Sequence, residues 1–106
     1  MDIIKEYKRI CDCGCIIIKL MPDFGSNGLW CAKCGEIITE ENIINLPIKL
    51  LTNIKIWNNK WKEYIFIKCY KNYKAPFGFN KHGLKLAQEI NKYHPCVLKI
   101  CDEDEE

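Results

Sequence analysis

Arginine is almost missing from this 106-residue chain. Of its 16 basic side chains only Arg9 is an Arg. The planar guanidinium, which reads base edges and grips phosphates in pairs, is therefore nearly unavailable to it. Serine is scarcer than usual too. Ser26 stands alone, with no Gly-x-Ser-x-Gly around it, which excludes a nucleophile-elbow hydrolase. The two histidines, His82 and His94, both fall in the second half. There is no His-Glu-x-x-His, no His-x-Glu ahead of a Pro-Cys-x-x-Cys, and no Gly-Lys-Ser/Thr phosphate loop. Metalloprotease, deaminase and nucleotide-hydrolase signatures are thus absent. No apolar run approaches the roughly 18 residues of a membrane span. The opening "MDIIKEYKRI" carries charges where a secretory signal needs apolar residues. A cytoplasmic protein is expected.

What the chain does have is cysteine, at positions 11, 13, 15, 31, 34, 69, 96 and 101. In a reducing compartment, clustered cysteines bind metal or carry redox chemistry more often than they form disulfides. The length predicts one domain, 1–106, with a core small enough to gain from a staple. Charge is unevenly laid out. Residues 1–54 carry six basic and seven acidic groups, residues 55–101 carry ten Lys against Glu63 and Glu89, and the tail 102–106 is acidic throughout. The whole is +2.

Local patterning predicts an α+β fold: a β-hairpin at 1–40, two or three helices within 46–101, and a short final strand. "CIIIKLM" (15–21) is β-branched and ends at Pro22. "PDFGSNG" is turn-rich. Residues 30–38 read as a second strand with a tight cysteine turn in it. Beyond Pro47, with Asn45 as candidate N-cap, Leu50, Ile54, Trp57, Trp61, Tyr64 and Lys68 recur at helical spacing. This makes the two Trp a buried face, with a bend or break allowed at Asn58-Asn59. Residues 64–70 suit helix or strand. Asn80 is the expected cap of a last helix through Gly83, Leu84, Ala87, Ile90 and Tyr93, stopped by Pro95. "CVLKIC" (96–101) reads as the final strand.

The stretch "GLWCAKCGEII" (28–38) poses a choice. Trp30-Cys31-Ala32-Lys33-Cys34 looks like a thioredoxin redox turn. That turn lies between a buried strand and a helix whose N-terminus lowers the first thiol's pKa. Here "DFGSNGL" precedes it, and Gly35 followed by "EIIT" is a poor helix start. Gly after the second cysteine is what a metal knuckle needs, because it tolerates positive φ while backbone N–H groups turn toward sulfur. Upstream, "CDCGC" (11–15) repeats the Cys-Gly ending. Residues 9–38 resemble a zinc ribbon on these motifs. The resemblance implies one tetrahedral Zn²⁺ held by Cys31, Cys34 and two upstream cysteines. Cys11 and Cys13 are the first choice. Because one residue rather than two separates them, Cys15 remains an alternative ligand. His94, Cys96 and Cys101 form a weaker candidate for a second site.

A small chain with no catalytic constellation is expected to be a non-enzymatic module that binds another protein, with no membrane and no small-molecule substrate. It resembles, faintly, small bacterial immunity proteins that neutralise a toxin, and "FNKHGLKLAQEINKYHP" resembles segments of small uncharacterised bacterial proteins. The alternative is a nucleic-acid-binding ribbon whose Lys60, Lys62, Lys68, Lys71, Lys74, Lys81 and Lys85 meet phosphates. Third comes a thiol redox protein using the Trp-Cys-x-x-Cys turn.

Overall fold

A computed structural model describes residues 10–39 and 46–105. Three short strands and two helices make a mixed α+β fold: β1 (Ile18–Leu20), β2 (Leu29–Cys31), α1 (Ile48–Ile67), α2 (Phe79–Asn91) and β3 (Cys96–Leu98). The strands alternate as a one-sided sheet must. Ile18, Leu20, Leu29 and Cys31 are buried, while Lys19 and Trp30 are half exposed. The order is β2-β1-β3. β1 runs antiparallel to β2, with Ile18 opposite Cys31, and parallel to β3, with Ile18 also opposite Cys96.

The hairpin is shorter than the residues led one to expect. Pairing of β1 with β2 ends at Cys31, because residues 32–34 turn the chain away, and Ile37 returns to pair with Trp30 as a single bridge. The final strand likewise stops at Leu98 rather than continuing to residue 101.

α1 spans 20 residues, about 30 Å at 1.5 Å per residue. It follows Pro47, whose φ of −58° suits a helix entry. The expected cap Asn45 lies outside the described residues. The helix runs without a break through Asn58-Asn59. Instead Asn58, only 2% exposed, uses both ends of its amide. Its Oδ1 accepts the Asp23 N–H at 2.8 Å and its Nδ2 donates to the Ser26 carbonyl at 2.9 Å. A buried amide is tolerated where both ends are satisfied, and here it clamps the hairpin loop to the helix. The ambiguous stretch 64–70 is helix to Ile67 and then turn. Trp57 is fully buried, stacked on Phe79 with ring centroids 4.4 Å apart, and its Nε1 donates to the Phe79 carbonyl. Trp61 is half buried against the Phe24 ring.

α2 is capped differently from the reading above. Asn80 is not the cap: the helix starts at Phe79 behind Gly78, with no local side-chain cap. The Glu103 carboxylate arrives from the C-terminal segment and accepts the N–H groups of Gly78 at 3.0 Å and Asn80 at 2.7 Å. Asn80's side chain instead bonds both the N–H and the carbonyl of Cys101. The segment is tied further by Ala75 N–H to the Asp102 carbonyl at 2.7 Å and Asp104 N–H to the Ala75 carbonyl at 2.8 Å. Residues 102–104 of the acidic tail are therefore part of the fold. One buried cluster draws on every element, from Ile10 through Trp57 to Cys96.

Candidate metal centre

Two tight turns build the site. In the first, Gly14 N–H donates to the Cys11 carbonyl at 3.1 Å, and Ile10 N–H to the Cys15 carbonyl at 2.9 Å closes the loop. In the second, Gly35 N–H donates to the Cys31 carbonyl at 3.0 Å, and Cys34 N–H points at the Cys31 sulfur at 3.4 Å. Gly14 and Gly35 have φ of 84° and 76°, left-handed values that L side chains adopt only at a cost. Both Cys-Gly endings serve the same purpose: they fold the chain back sharply enough to aim sulfur inward.

The result is a compact group. The Sγ atoms of Cys11, Cys13, Cys31 and Cys34 all lie within 4.8 Å of one another, close enough for one metal ion to touch all four. Cys11 Sγ sits 2.7 Å from Cys13, 3.3 Å from Cys31 and 3.5 Å from Cys34. Thiolate bonds of about 2.3 Å to a tetrahedral ion would set the sulfurs about 3.8 Å apart, so the group fits an ion once the sulfurs spread outward, Cys11 and Cys13 most of all. Cys31 is buried on the core face of β2, while Cys13 and Cys34 are exposed. The ion would thus sit at the rim of the core, with one wall of the site open to water.

The thiols perturb one another strongly. The Cys13 sulfur, then burial, pushes the Cys11 thiol up. Burial would raise Cys31 as well, but N–H from Cys34, the Cys11 thiol and N–H from Lys33 outweigh it and bring Cys31 down to about 6. Crowding lets one sulfur ionise at its neighbours' expense. All four can be thiolates together only if a cation compensates them.

Cys15 is turned away. Its sulfur accepts the Ile17 N–H at 3.3 Å, outside the four-sulfur group. Cys96 is a core residue whose thiol burial pushes up to about 12, and its Sγ leans on the Val97 carbonyl. Cys101 is raised by burial too. His94, Cys96 and Cys101 do not assemble into a second group; among the described residues the four-cysteine cluster is the one found.

The seven lysines offered for phosphates lie on α1, on α2 and on the connection between them. Lys60 and Lys62, two apart on α1, point to different sides. Lys60 and Lys85 both bear on His82, whose pKa is lowered first by burial and then by their charges. Lys62 lies beside the hairpin loop. Lys68 is 3.4 Å from the Asp104 carboxylate, which also accepts the Tyr64 hydroxyl. Lys71, Lys74 and Lys81 are exposed. Asn58, which holds the hairpin loop to α1, and Glu103, which caps α2, carried no signal in the sequence beyond an Asn within a helical period.

Compared with protein-family models, with curated proteins and with solved structures, the chain finds no match in any of the three. Among the described residues, no helix is long and apolar enough to cross a membrane.

Proposed function

We infer that this chain is a non-catalytic, zinc-stapled module that works by binding another protein, of the kind that neutralises a toxin by occupying it. The observation that carries the reading is the four-sulfur group: two knuckles, each ending in a left-handed glycine, converge on one point. Four thiolates are the donor set zinc takes in structural sites, and they leave no position for substrate. A zinc ion there ties the hairpin's turn to the segment before β1, and so holds the rim of a small core. The partner-binding half rests on the apolar side chains left in water around the end of α1, where Phe66 is 67% exposed, Ile67 74% and Tyr73 55%. Clustered exposed apolar groups mark contact surfaces.

The nucleic-acid reading has less beneath it, since Lys60 and Lys62 project from different sides of α1 and Lys68 is engaged by Asp104. A redox role would want a helix after Cys31, but the chain turns and returns as a bridge to Trp30. Elemental analysis of the purified protein is expected to find about one zinc per chain. Holo-protein used as bait in its native cell should then retain one protein stoichiometrically after nuclease treatment. A metal-free preparation with all thiols titratable, or a nuclease-sensitive partner, would overturn this reading.

A further inference from the structure

The two halves of the four-sulfur group are not anchored alike. Cys31 ends β2, opposite Ile18, and is fully buried, so the sheet fixes its position. Gly35 N–H and Cys34 N–H tie the turn that follows back to the same residue. The upstream turn has no such anchorage. Among the described residues, the backbone hydrogen bonds of 10–15 stay inside the turn, from Ile10 N–H to the Cys15 carbonyl and from Gly14 N–H to the Cys11 carbonyl. The Cys15 sulfur reaches only Ile17, two residues on. The turn's polar contacts with the hairpin are all sulfur to sulfur: Cys11 lies 3.3 Å from Cys31 and 3.5 Å from Cys34, and Cys13 lies 3.5 Å from Cys31. The rest of its hold is apolar, through buried Ile10 and the packing of Cys11 and Cys15 on the core.

Inside the upstream turn, the Cys11 and Cys13 sulfurs are 2.7 Å apart, closer than the contacts that cross the group. A disulfide needs about 2.05 Å between sulfurs, and a tetrahedral thiolate site about 3.8 Å. The turn therefore holds this pair nearer to bonding distance than to coordination distance, and joining the two moves no strand or helix. Cys13 is exposed, so a reagent in water reaches it, whereas Cys31 is closed off in the core. We propose that Cys11 and Cys13 are a site of reversible oxidation by hydrogen peroxide, which unfastens the upstream turn from the hairpin. The proposal rests on the zinc reading above and adds the regulation of that site.

The chemistry takes two steps. The Cys13 thiolate attacks the peroxide O–O bond, becomes a sulfenic acid and releases hydroxide. The Cys11 thiolate then attacks the Cys13 sulfur: the S–S bond forms, the S–O bond breaks, and a second hydroxide leaves. Two electrons pass from the two thiolates to the peroxide, and two protons from solvent turn both hydroxides into water. Cys31 is the other thiol in contact with Cys13, but it is farther away and fixed in β2, so Cys11 resolves the sulfenic acid. The bridge withdraws half of the donor set, and the two remaining thiolates do not fill a tetrahedral site. It also turns both upstream sulfurs toward each other. The polar tie to Cys31 and Cys34 is lost with the ion, and apolar packing alone then holds the turn. A bridge across so short a loop adds little stability of its own. Strained, exposed bridges are the ones that thiols reduce readily, so reduction returns the four-thiolate set.

The test uses the full-length protein, its zinc counted beforehand, and hydrogen peroxide added in small steps beside a chromogenic zinc chelator. The ion should be released at roughly one peroxide per zinc. Peptide mapping after alkylation of the free thiols should find a Cys11–Cys13 bridge, and dithiothreitol with added zinc should restore the starting protein. Hydrogen exchange over residues 10–17 should speed up roughly tenfold or more on oxidation, while α1 and α2 keep their protection. Cys15→Ser, Cys69→Ser and Cys101→Ser should each release zinc as wild type does, because none of these thiols belongs to the group. Zinc-loaded protein that keeps its ion while exposed Cys69 is oxidised would refute the proposal and leave the zinc site standing. So would release accompanied by a Cys31–Cys34 bridge, by a bridge between the two turns, or by oxidation that dithiothreitol does not reverse. Protein that holds no zinc before peroxide is added would overturn the zinc reading, and this proposal with it.

Discussion

Glu103 is the residue whose loss should reach furthest from its own position. It lies 23 residues beyond Asn80 in sequence, yet its two carboxylate oxygens accept the first free N–H groups of α2, from Gly78 and Asn80. The helix has no acidic residue in its first turn and no local cap to replace it. Truncating an N-cap acceptor costs about 0.5–2 kcal/mol, and a negative charge at a helix N-terminus adds about 0.3–1 kcal/mol at low salt. Glu103→Ala should therefore lose about 1–2 kcal/mol, or roughly 5–15 °C in melting temperature for a domain of this size. Glu103→Gln keeps a carbonyl oxygen but no charge, and should fall between wild type and Ala. The charge-dependent part should shrink in high salt, while the hydrogen-bonded part persists. Thermal melts of zinc-loaded wild type, Gln and Ala variants, each at low and high salt, measure both parts. An Ala variant that melts with wild type would show that the carboxylate does not cap α2. A chain cut before Asp102 that melts higher than wild type would show the acidic segment to be a competitor rather than part of the fold.

Four further outcomes follow from the geometry. Cys34→Ser should lower bound zinc well below one per chain, whereas Cys15→Ser should keep it, as read by elemental analysis; the reverse order would move the site to Cys15. Gly83→Ala should destabilise by about 1–3 kcal/mol despite better helix propensity, because a Cβ there would come within 2.9 Å of the Trp57 ring and of Leu98; a more stable variant in urea would refute that packing. Asn58→Ala should cost about 2–4 kcal/mol by stranding the Asp23 N–H and the Ser26 carbonyl, with faster proteolysis between Pro22 and Gly28 as its local signature; unchanged proteolysis would count against the clamp. The Tyr64 hydroxyl, and less strongly Lys68, hold the Asp104 carboxyl below its ordinary 3.8. Its contribution is present above 3.8 and is lost as the pH falls through the lower folded value, so Asp104→Asn should flatten the acid limb of a stability–pH curve, and an unaltered limb would exclude the contact.

The parts legible in the sequence are those decided over a few neighbouring residues. Trp57 could be placed inside because steps of three and four from Leu50 leave a helix no other way to hide its large side chains. That no helix follows Cys34 could be read from Gly35, which is wrong for a helix start and right for positive φ. Asn80 misled because an Asn ahead of an apolar period is the local signature of a cap, while the group that caps α2 comes from a distant segment with nothing periodic about it. The break allowed at Asn58-Asn59 misled for a related reason. A buried amide looks like an interruption until its two partners, Asp23 and Ser26, are known.

The chain's sequence alone determined that helices begin near residues 48 and 79, that it has a cysteine hairpin, and that it lacks the usual catalytic signatures, but not where the first helix ends. Those properties depend on side-chain period, on φ preference and on residue type, all of which are local. Tertiary structure alone decided that β3 lies parallel beside β1, that Cys13 rather than Cys15 joins the sulfur group, and that Glu103 caps α2. Each of these brings together groups far apart in the chain, or sets the direction in which one side chain points. Such choices are settled by which arrangement buries the most apolar surface while leaving no buried N–H or carbonyl without a partner, a condition on the whole molecule that no short stretch of residues contains.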